Sequence, residues 1–175
     1  ATTFSRPCEV NRMTITNYLA ILEGMHVAHV LRPFNSRRAI EIVAAPRVYA
    51  FDTGFVSYFN GWSRVTPANR GILWEHLVLN EIHAVLQGRQ VSYWRDKHGN
   101  EVDFVVPRHG KPPIAIECKW SAHEFNPGGM LSFARAYPGS VLAVVAQDVR
   151  RPTKVRFGTN TIAVLPASAV PSLMG

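Results

Sequence analysis

The chain has 175 residues, 47% of them hydrophobic, which is enough to bury a substantial core as one compact domain or two small ones. Its net charge of +7 favours a polyanionic partner such as nucleic acid, although the same excess also maintains solubility. Cys8 and Cys118 are too few for a disulfide framework and no apolar run predicts a signal peptide or a membrane span, so we expect a reduced, cytoplasmic protein with no membrane partner.

Residues 1–66 predict a small segment of mixed structure. The opening ATTFSRPCEV has no initiator methionine and a helical pattern follows almost at once, which indicates a fragment of a longer protein. Thr14 is the predicted cap of a helix through ITNYLAILE that ends at Gly24. A strand in HVAHVLRPF, a basic loop in NSRRAIEI, a strand at residues 47–51 and a short helix capped by Asp52 follow. Helix, strand and basic loop in this order are typical of the end of a winged helix-turn-helix.

Residues 67–175 predict an α/β domain. The turn-forming residues of TPANRG mark the boundary before it. GILWEHLVLNEIHAVLQG is apolar on nearly all sides, which predicts a central helix closed by Gly88. Strands in QVSYWR, EVDFVV and IAIECKW, a helix in PGGMLSFARAY and a strand in VLAVVA follow, with KVRFGTNTIAVLP as a further edge element. The order α-β-β-β-α-β predicts an α/β sandwich around a mixed sheet.

Charged residues interrupt two of these apolar strands. In EVDFVV, period-two alternation predicts that Asp103 and Val105 share one face and that Val102 and Phe104 share the other. In IAIECKW, the same alternation places Glu117 and Lys119 on one face. Charges in such strands are seldom buried unless they are paired or bind a cation.

A hairpin centred on Gly110 brings the two acids together. A register symmetric about Gly110 sets Asp103 directly opposite Glu117, with Cβ atoms roughly 5 Å apart, where like charges repel unless a cation or a proton separates them. Carboxylate oxygens suit Mg²⁺ or Mn²⁺, and the Lys119 ammonium would orient or help deprotonate a water. The alternative is an ion-paired trio on a solvated sheet face, in which Lys119 neutralises one carboxylate.

The same residues resemble known motifs. Asp103 followed by Glu117-x-Lys119 resembles the PD-(D/E)xK nuclease motif, with Val102 in place of its proline. GILWEHLV resembles the first-helix glutamate segment of archaeal Holliday junction resolvases, matching Glu75. Most of the chain resembles the C-terminal part of a prokaryotic AAA+-type ATPase family, through TITNYLAILEG, LRPF, PRVYAFDTG, GILWEHLVLNEI, GNEVDF and IECKW in that order.

The resemblance implies two domains. Residues 1–66 would form a partial winged-helix-like α+β segment, truncated at its N-terminus, and residues 67–175 a restriction-endonuclease-like αβββαβ core. ATP would bind only in an upstream ATPase module of the same polypeptide, because no G-x-x-x-x-G-K-[ST] motif occurs in these residues. Partners would then be nucleic acid, that module and a possible protein.

The implied site is a metal-dependent nuclease centre. Asp103 and Glu117 would hold Mg²⁺ or Mn²⁺, with Glu75 acting through a water, and Lys119 would assist hydrolysis of a DNA or RNA phosphodiester. Glu75 and Glu81 lie about 120° apart on their helix, so only one of them readily faces the site, and the motif match selects Glu75. The alternative function is a non-catalytic module that binds nucleic acid or a protein for its ATPase.

Two further groups are candidates for contact with nucleic acid. Basic residues near the C-terminus are either phosphate contacts or a solvated edge: Arg150, Arg151, Lys154 and Arg156. Aromatic residues that flank the acids either stack on bases or belong to the core: Tyr93, Trp94 and Trp120.

Overall fold

The computed structural model describes residues 11–34, 45–88 and 90–175 of the chain. Within these ranges the protein is a mixed α/β structure with an eight-stranded mixed sheet and five helices. The helices are α1 (Arg12–Gly24), α2 (Thr53–Phe59), α3 (Pro67–Leu86), α4 (Gly128–Ala136) and α5 (Val170–Met174). The strands are β1 (Ala28–Pro33), β2 (Arg47–Ala50), β3 (Ser92–Arg95), β4 (Glu101–Arg108), β5 (Lys111–Lys119), β6 (Val141–Ala146), β7 (Thr153–Phe157) and β8 (Asn160–Leu165).

The sheet order is β2-β1-β3-β4-β5-β6-β8-β7. Neighbouring strands β3, β4 and β5 are antiparallel, whereas β5, β6 and β8 run parallel. The predicted order α-β-β-β-α-β is confirmed from α3 to β6, and β7 forms the predicted edge. Strand β1 pairs with β2 through residues 28–31 and with β3 through residues 32–33, so strands of both predicted domains belong to one sheet.

The core lies on both faces of this sheet. Helix α3 covers one face, where Val78, Leu79 and Ile82 pack with Phe104 and Ile116. Helix α4 covers the other face and contributes Met130 and Phe133. Since an α/β domain buries both faces of its sheet, β5 and β6 consist mainly of buried apolar residues. None of the helices in the described ranges has both the length and the apolar character needed to cross a bilayer.

Several element boundaries differ from those predicted. Asn11, not Thr14, caps α1, because its side chain accepts a hydrogen bond from the Thr14 amide. The helix predicted from Gly71 begins earlier, at Pro67 inside TPANRG, because Thr66 is its N-cap and proline at the first position loses no helical hydrogen bond. Asp52 caps α2 as predicted. The predicted basic loop, residues 35–44, lies outside the described residues.

A β-bulge changes the predicted alternation of β4. Ser92 and Trp94 of β3 pair with Val105 and Val102, so a single residue of β3 faces two residues of β4, Asp103 and Phe104. Val102 and Val105 therefore belong to the same core cluster, on the α4 face, while Phe104 packs on the α3 face. The prediction that Val102 and Phe104 share a face was wrong, because pairing with β3 inserts one residue into the regular period of two.

Helix α4 and strand β4 are in close contact at Gly129, so a larger residue there should destabilise the fold. A Cβ atom there would lie 2.3 Å from the backbone oxygen of Glu101. Gly129→Ala should therefore lower the free energy of unfolding by about 1–3 kcal/mol, measured by urea denaturation, since helix or strand has to shift. Gly128→Ala is the matched control, because its Cβ would meet a movable side-chain atom of Asn126 at 3.2 Å. Equal stability of the two variants would contradict the prediction.

Candidate functional site

Three carboxylates from three elements form the acidic cluster, defined as Glu75, Asp103 and Glu117. Glu75 lies on α3, Asp103 in the bulge of β4 and Glu117 near the end of β5. They are close enough that the charge of Asp103 raises the pKa of both glutamates. The side chains of Asp103 and Glu117 are only 14% and 15% exposed. The structure therefore brings together the three acids that the sequence selected, whereas Glu81 is exposed.

The β4–β5 hairpin accounts for the position of Asp103. The predicted register about Gly110 is confirmed from Phe104–Ile116 to Val106–Ile114, but it shifts by one residue before the pair Arg108–Lys111. One further step would oppose Asp103 and Glu117, but the paired residues end at Phe104. There the carboxylate of Asp103 accepts a hydrogen bond of 2.9 Å from the amide of Cys118. The Asp103 side chain thus replaces a backbone carbonyl as the acceptor for the Cys118 amide at the end of the β4–β5 ladder, and this hydrogen bond fixes the position of its carboxylate.

Basic side chains lie against the acids. The ammonium of Lys119 is 2.9 Å from Glu117, which confirms that these two residues point the same way. Arg47 of β2 lies 3.8 Å from Asp103 and also forms an ion pair with Glu101. Arg95 binds the other oxygen of Glu101 at 3.0 Å. Each of these pairs joins groups that would be costly to bury alone.

Burial dominates the electrostatics of the acidic cluster. The pKa of Glu117 is raised to about 7, first by burial and then by the charge of Asp103, against the lowering effect of Lys119. The pKa of Glu75 is also raised to about 7 by burial and by Asp103, while its hydrogen bond from the Tyr49 hydroxyl, 3.3 Å long, lowers it. Burial raises the pKa of Asp103, although the Cys118 amide opposes this. A cluster that holds protons near neutral pH is one that a cation would stabilise.

The two cations keep their charge. Burial lowers the pKa of Lys119, but Glu117, Asp103 and Glu75 together more than offset it, so the pKa is raised overall. Burial likewise lowers the pKa of Arg47, but Glu101, Tyr49 and Asp103 together outweigh it, so the pKa is raised overall. Lys119 is therefore an ammonium at neutral pH, which suits it to orienting a water or stabilising negative charge rather than to removing a proton.

Comparison with known proteins places this site in a family. Residues 70–170 match the family described as "Domain of unknown function (DUF4143)". The chain belongs to this family. Residues 1–66 match a second family, described as "Domain of unknown function (DUF8612)". The acidic cluster and Lys119 thus lie in the DUF4143 region, whereas Arg47 lies in the region that matches DUF8612.

The curated relatives carry no assigned role. Uncharacterized protein Rv2008c of Mycobacterium tuberculosis and uncharacterized protein Mb2031c of Mycobacterium bovis are each 28% identical to this chain over 171 residues. Each alignment covers 95% of this chain but 37% of the relative, so the chain spans little more than a third of their length. No solved structure matches the chain.

The residues of the DUF4143 region fit a hard divalent ion by their chemistry. The acidic cluster offers oxygen ligands, which Mg²⁺ and Mn²⁺ prefer, and Cys118 is buried in the core. Among the described residues, however, no group of three or more His, Cys, Asp or Glu side chains is already arranged to hold an ion. Ion pairs with Arg47 and Lys119 occupy two of the acids, so an ion would have to displace a cationic side chain.

Two residues of the site were missed by sequence reasoning. Arg47 and Tyr49 both lie on β2, and both reach the acidic cluster from outside the DUF4143 region. Tyr49 is buried and its ring packs edge-on against that of Phe104. The sequence signal that could have found Arg47 is a charged residue in an otherwise apolar strand, which is the kind of signal that identified Asp103. Nothing local in the sequence connects β2 with β4, which lies about 55 residues later in the chain.

The predicted basic residues form an exposed edge. Lys154 and Arg156 lie on β7, and Arg150 and Arg151 precede it. All four side chains are exposed, which both a role in phosphate contacts and a merely solvated edge require. Strand β7 is three positions from β5 in the sheet, a separation of about 14 Å.

The aromatic candidates differ in burial: two of them are core residues and one is partly exposed. Tyr93 and Trp94 are buried, so they belong to the core rather than to a base-stacking surface. Trp120 is half-buried and directly follows β5, with the guanidinium of Arg70 5.1 Å from its ring centre. Trp74 meets it edge-on and donates a hydrogen bond to the backbone oxygen of Val145. Trp120 is thus the predicted aromatic residue that keeps an accessible surface.

Proposed function

We propose that the DUF4143 region holds a site for Mg²⁺ or Mn²⁺ and hydrolyses phosphodiester bonds of DNA or RNA. The observation that carries this proposal is the burial of Glu75, Asp103 and Glu117 together beside Lys119. Burial raises the pKa of both glutamates to about 7, which is a typical property of functional carboxylates. Asp103 and Glu117 would be direct ligands and Glu75 would act through a water.

The chain's own residues have distinct roles in this proposal. A bound divalent ion supplies Lewis acidity at the phosphate and at a water. Asp103 is held for this role by the Cys118 amide, and Glu75 by the Tyr49 hydroxyl. Lys119 keeps its proton, so it binds a phosphate oxygen and stabilises the charge that develops there.

The proposal includes a restriction-endonuclease-like core. Its support is the order α-β-β-β-α-β, with one acid on the first helix, one on the second strand and one on the third. For residues 1–66 we propose a partial winged-helix-like segment, supported by the helix α1 and the strands β1 and β2 within its described part. An ATPase module upstream in the same polypeptide belongs to the same proposal.

A second function is favoured by the ion pairs. Arg47 and Lys119 neutralise Asp103 and Glu117 without any added ion. The same residues therefore suit a non-catalytic module that binds nucleic acid or a partner protein on behalf of an ATPase. In that case the basic residues around β7 would supply phosphate contacts, and affinity for DNA would fall steeply with salt but would not depend on divalent ions.

Cleavage of DNA separates the two functions. We expect the wild-type chain with Mn²⁺ to cut branched, duplex or single-stranded DNA, and Asp103→Asn to reduce the rate at least about 100-fold, because a metal ligand is lost. Asparagine retains an oxygen for the Cys118 amide, so the fold should be preserved. Glu81→Gln, an exposed change on α3, is the matched control and should leave the rate unchanged.

Any of three results would count against hydrolysis by this site. Cleavage that survives Asp103→Asn would mean that other residues or a contaminant cut the DNA. Salt-dependent binding with no cleavage under any divalent ion would favour the non-catalytic module. Binding to a protein, and none to DNA, would favour a pure interaction role.

A further inference from the structure

A basic residue from outside the DUF4143 region lies beside the acids of that region. Strand β2 carries Arg47, whose guanidinium is 3.8 Å from Asp103 and also pairs with Glu101. The contact joins positions far apart in the chain, so it depends on how the β1–β2 hairpin packs against β4. Arg47 is therefore a contribution of the N-terminal segment to the acidic cluster.

Arg47 is held in place by more than charge. Its guanidinium lies over the ring of Tyr93, 4.5 Å from the ring centre, a geometry that favours a cation. Two residues along β2, Tyr49 is buried beside Phe104 and donates its hydroxyl to Glu75. The side chain of Arg47 is 26% exposed. The hairpin thus presents one cation and one hydroxyl to the cluster on a packed backbone.

A guanidinium in this position does what a bound divalent ion would do, because it offsets the charge of Asp103. The guanidinium of Arg47 and a divalent ion cannot both lie against the Asp103 carboxylate without repelling each other. The described residues are not already arranged to hold an ion, which agrees with a cluster neutralised by its own side chains. Arg47 is the cation that comes from another element of the fold, so its release does not require movement of β4 or β5.

We propose that Arg47 is a built-in counter-cation that competes with the divalent ion for Asp103, so that the β1–β2 hairpin regulates occupancy of the metal site. The inference rests on the proposed metal site. When an ion binds, Arg47 leaves Asp103 and retains Glu101. Any movement of the hairpin away from β4 would raise the affinity of the site for metal. A purely structural Arg47 would have the opposite effect, since its loss would weaken the site.

The test is Mn²⁺ affinity by calorimetry. Arg47→Met keeps an unbranched apolar side chain and removes the charge. We expect it to bind Mn²⁺ about tenfold more tightly than wild type, the effect of removing one repelling charge at a half-buried position. Arg47→Lys should restore nearly wild-type affinity. Arg95→Met is the matched control, because Arg95 pairs with Glu101 alone among the described acids and is 49% exposed. The Mn²⁺ affinity of this variant should differ from that of wild type by less than about twofold.

A measurement on the wild-type chain makes the test independent of whether Arg47→Met folds. On titration with Mg²⁺, the side-chain nitrogen NMR signal of Arg47 should shift while that of Arg95 does not. Unchanged or weaker Mn²⁺ binding by Arg47→Met, or an unmoved Arg47 signal on saturation, would overturn the inference while the metal site stands. Absence of ion binding by wild type and by both Arg47 variants would overturn the metal site itself.

Discussion

Glu117→Gln is expected to weaken Mn²⁺ binding at least about 100-fold, because it replaces a charged ligand with a neutral amide at a buried position. The reason lies in the setting of Glu117, which is 15% exposed and close to both Asp103 and Lys119. Calorimetric titration of Mn²⁺ into wild type and variant gives the two affinities directly. Glu81→Gln again serves as the control and should bind as wild type does.

The pH dependence of that affinity follows from the same groups. Because the pKa values of Glu75 and Glu117 are raised to about 7, an ion that binds near neutral pH must displace protons. Affinity should therefore rise as pH increases from 6 to 8. In the absence of metal, the same two groups make the stability of the fold fall as the pH rises. Each raised carboxyl pKa contributes stability that is fully present below the unfolded value near 4.5 and is lost as the pH rises through about 7.

Two results would contradict these expectations. Equal Mn²⁺ affinity in wild type and Glu117→Gln would place any bound ion elsewhere in the chain. Binding that releases no protons, as judged in buffers of different ionisation enthalpy, would mean that the carboxylates of the acidic cluster are not the ligands. The ion-paired arrangement with Lys119 would then be the functional state of Glu117.

Phe104→Ala should destabilise the fold by about 3–5 kcal/mol, because it empties a fully buried position. The side chain of Phe104 has 0% exposure and packs with Tyr49 of β2 and with residues of α3. It therefore joins the N-terminal hairpin, the first helix of the DUF4143 region and the central strand. Thermal and urea denaturation measure the loss.

The control for that prediction is Val155→Ala on β7. Val155 is 42% exposed at the edge of the sheet, so its truncation should change the free energy of unfolding by less than about 0.5 kcal/mol. If Phe104→Ala were as stable as Val155→Ala, the packing of the β1–β2 hairpin on β4 would be incorrect.

The sequence was informative where structure depends on local periodicity. The apolar pattern of α3 and of the central strands predicted their order and identified Asp103, Glu117 and Lys119 as exceptions that needed a reason. A hairpin centred on Gly110 was also predictable, because glycine adopts the left-handed conformation observed there, with φ of 66°. The turn is shorter than predicted, since β4 runs to Arg108 and β5 begins at Lys111.

What the sequence could not provide depends on contacts between distant segments. The bulge at Asp103 arises from the pairing of β4 with β3, and no local rule indicates which residue is inserted. Arg47 reaches Glu101 across a separation of 54 residues, and only the packing of the hairpin places it there. A reader of the sequence alone sees a basic residue after a proline, with nothing to connect it to the acids.

The bulge limits how the gene for this chain can change in length. Deleting one of the two residues that face β3 at the bulge would leave a regular strand, in which Val102 and Val105 keep their common face. One position cannot hold both side chains, so either Asp103 would leave the acidic cluster or Phe104 would leave the core. The extra residue is therefore what lets this stretch of β4 supply a carboxylate to the site and an aromatic ring to the core, and a lost codon would remove one of the two.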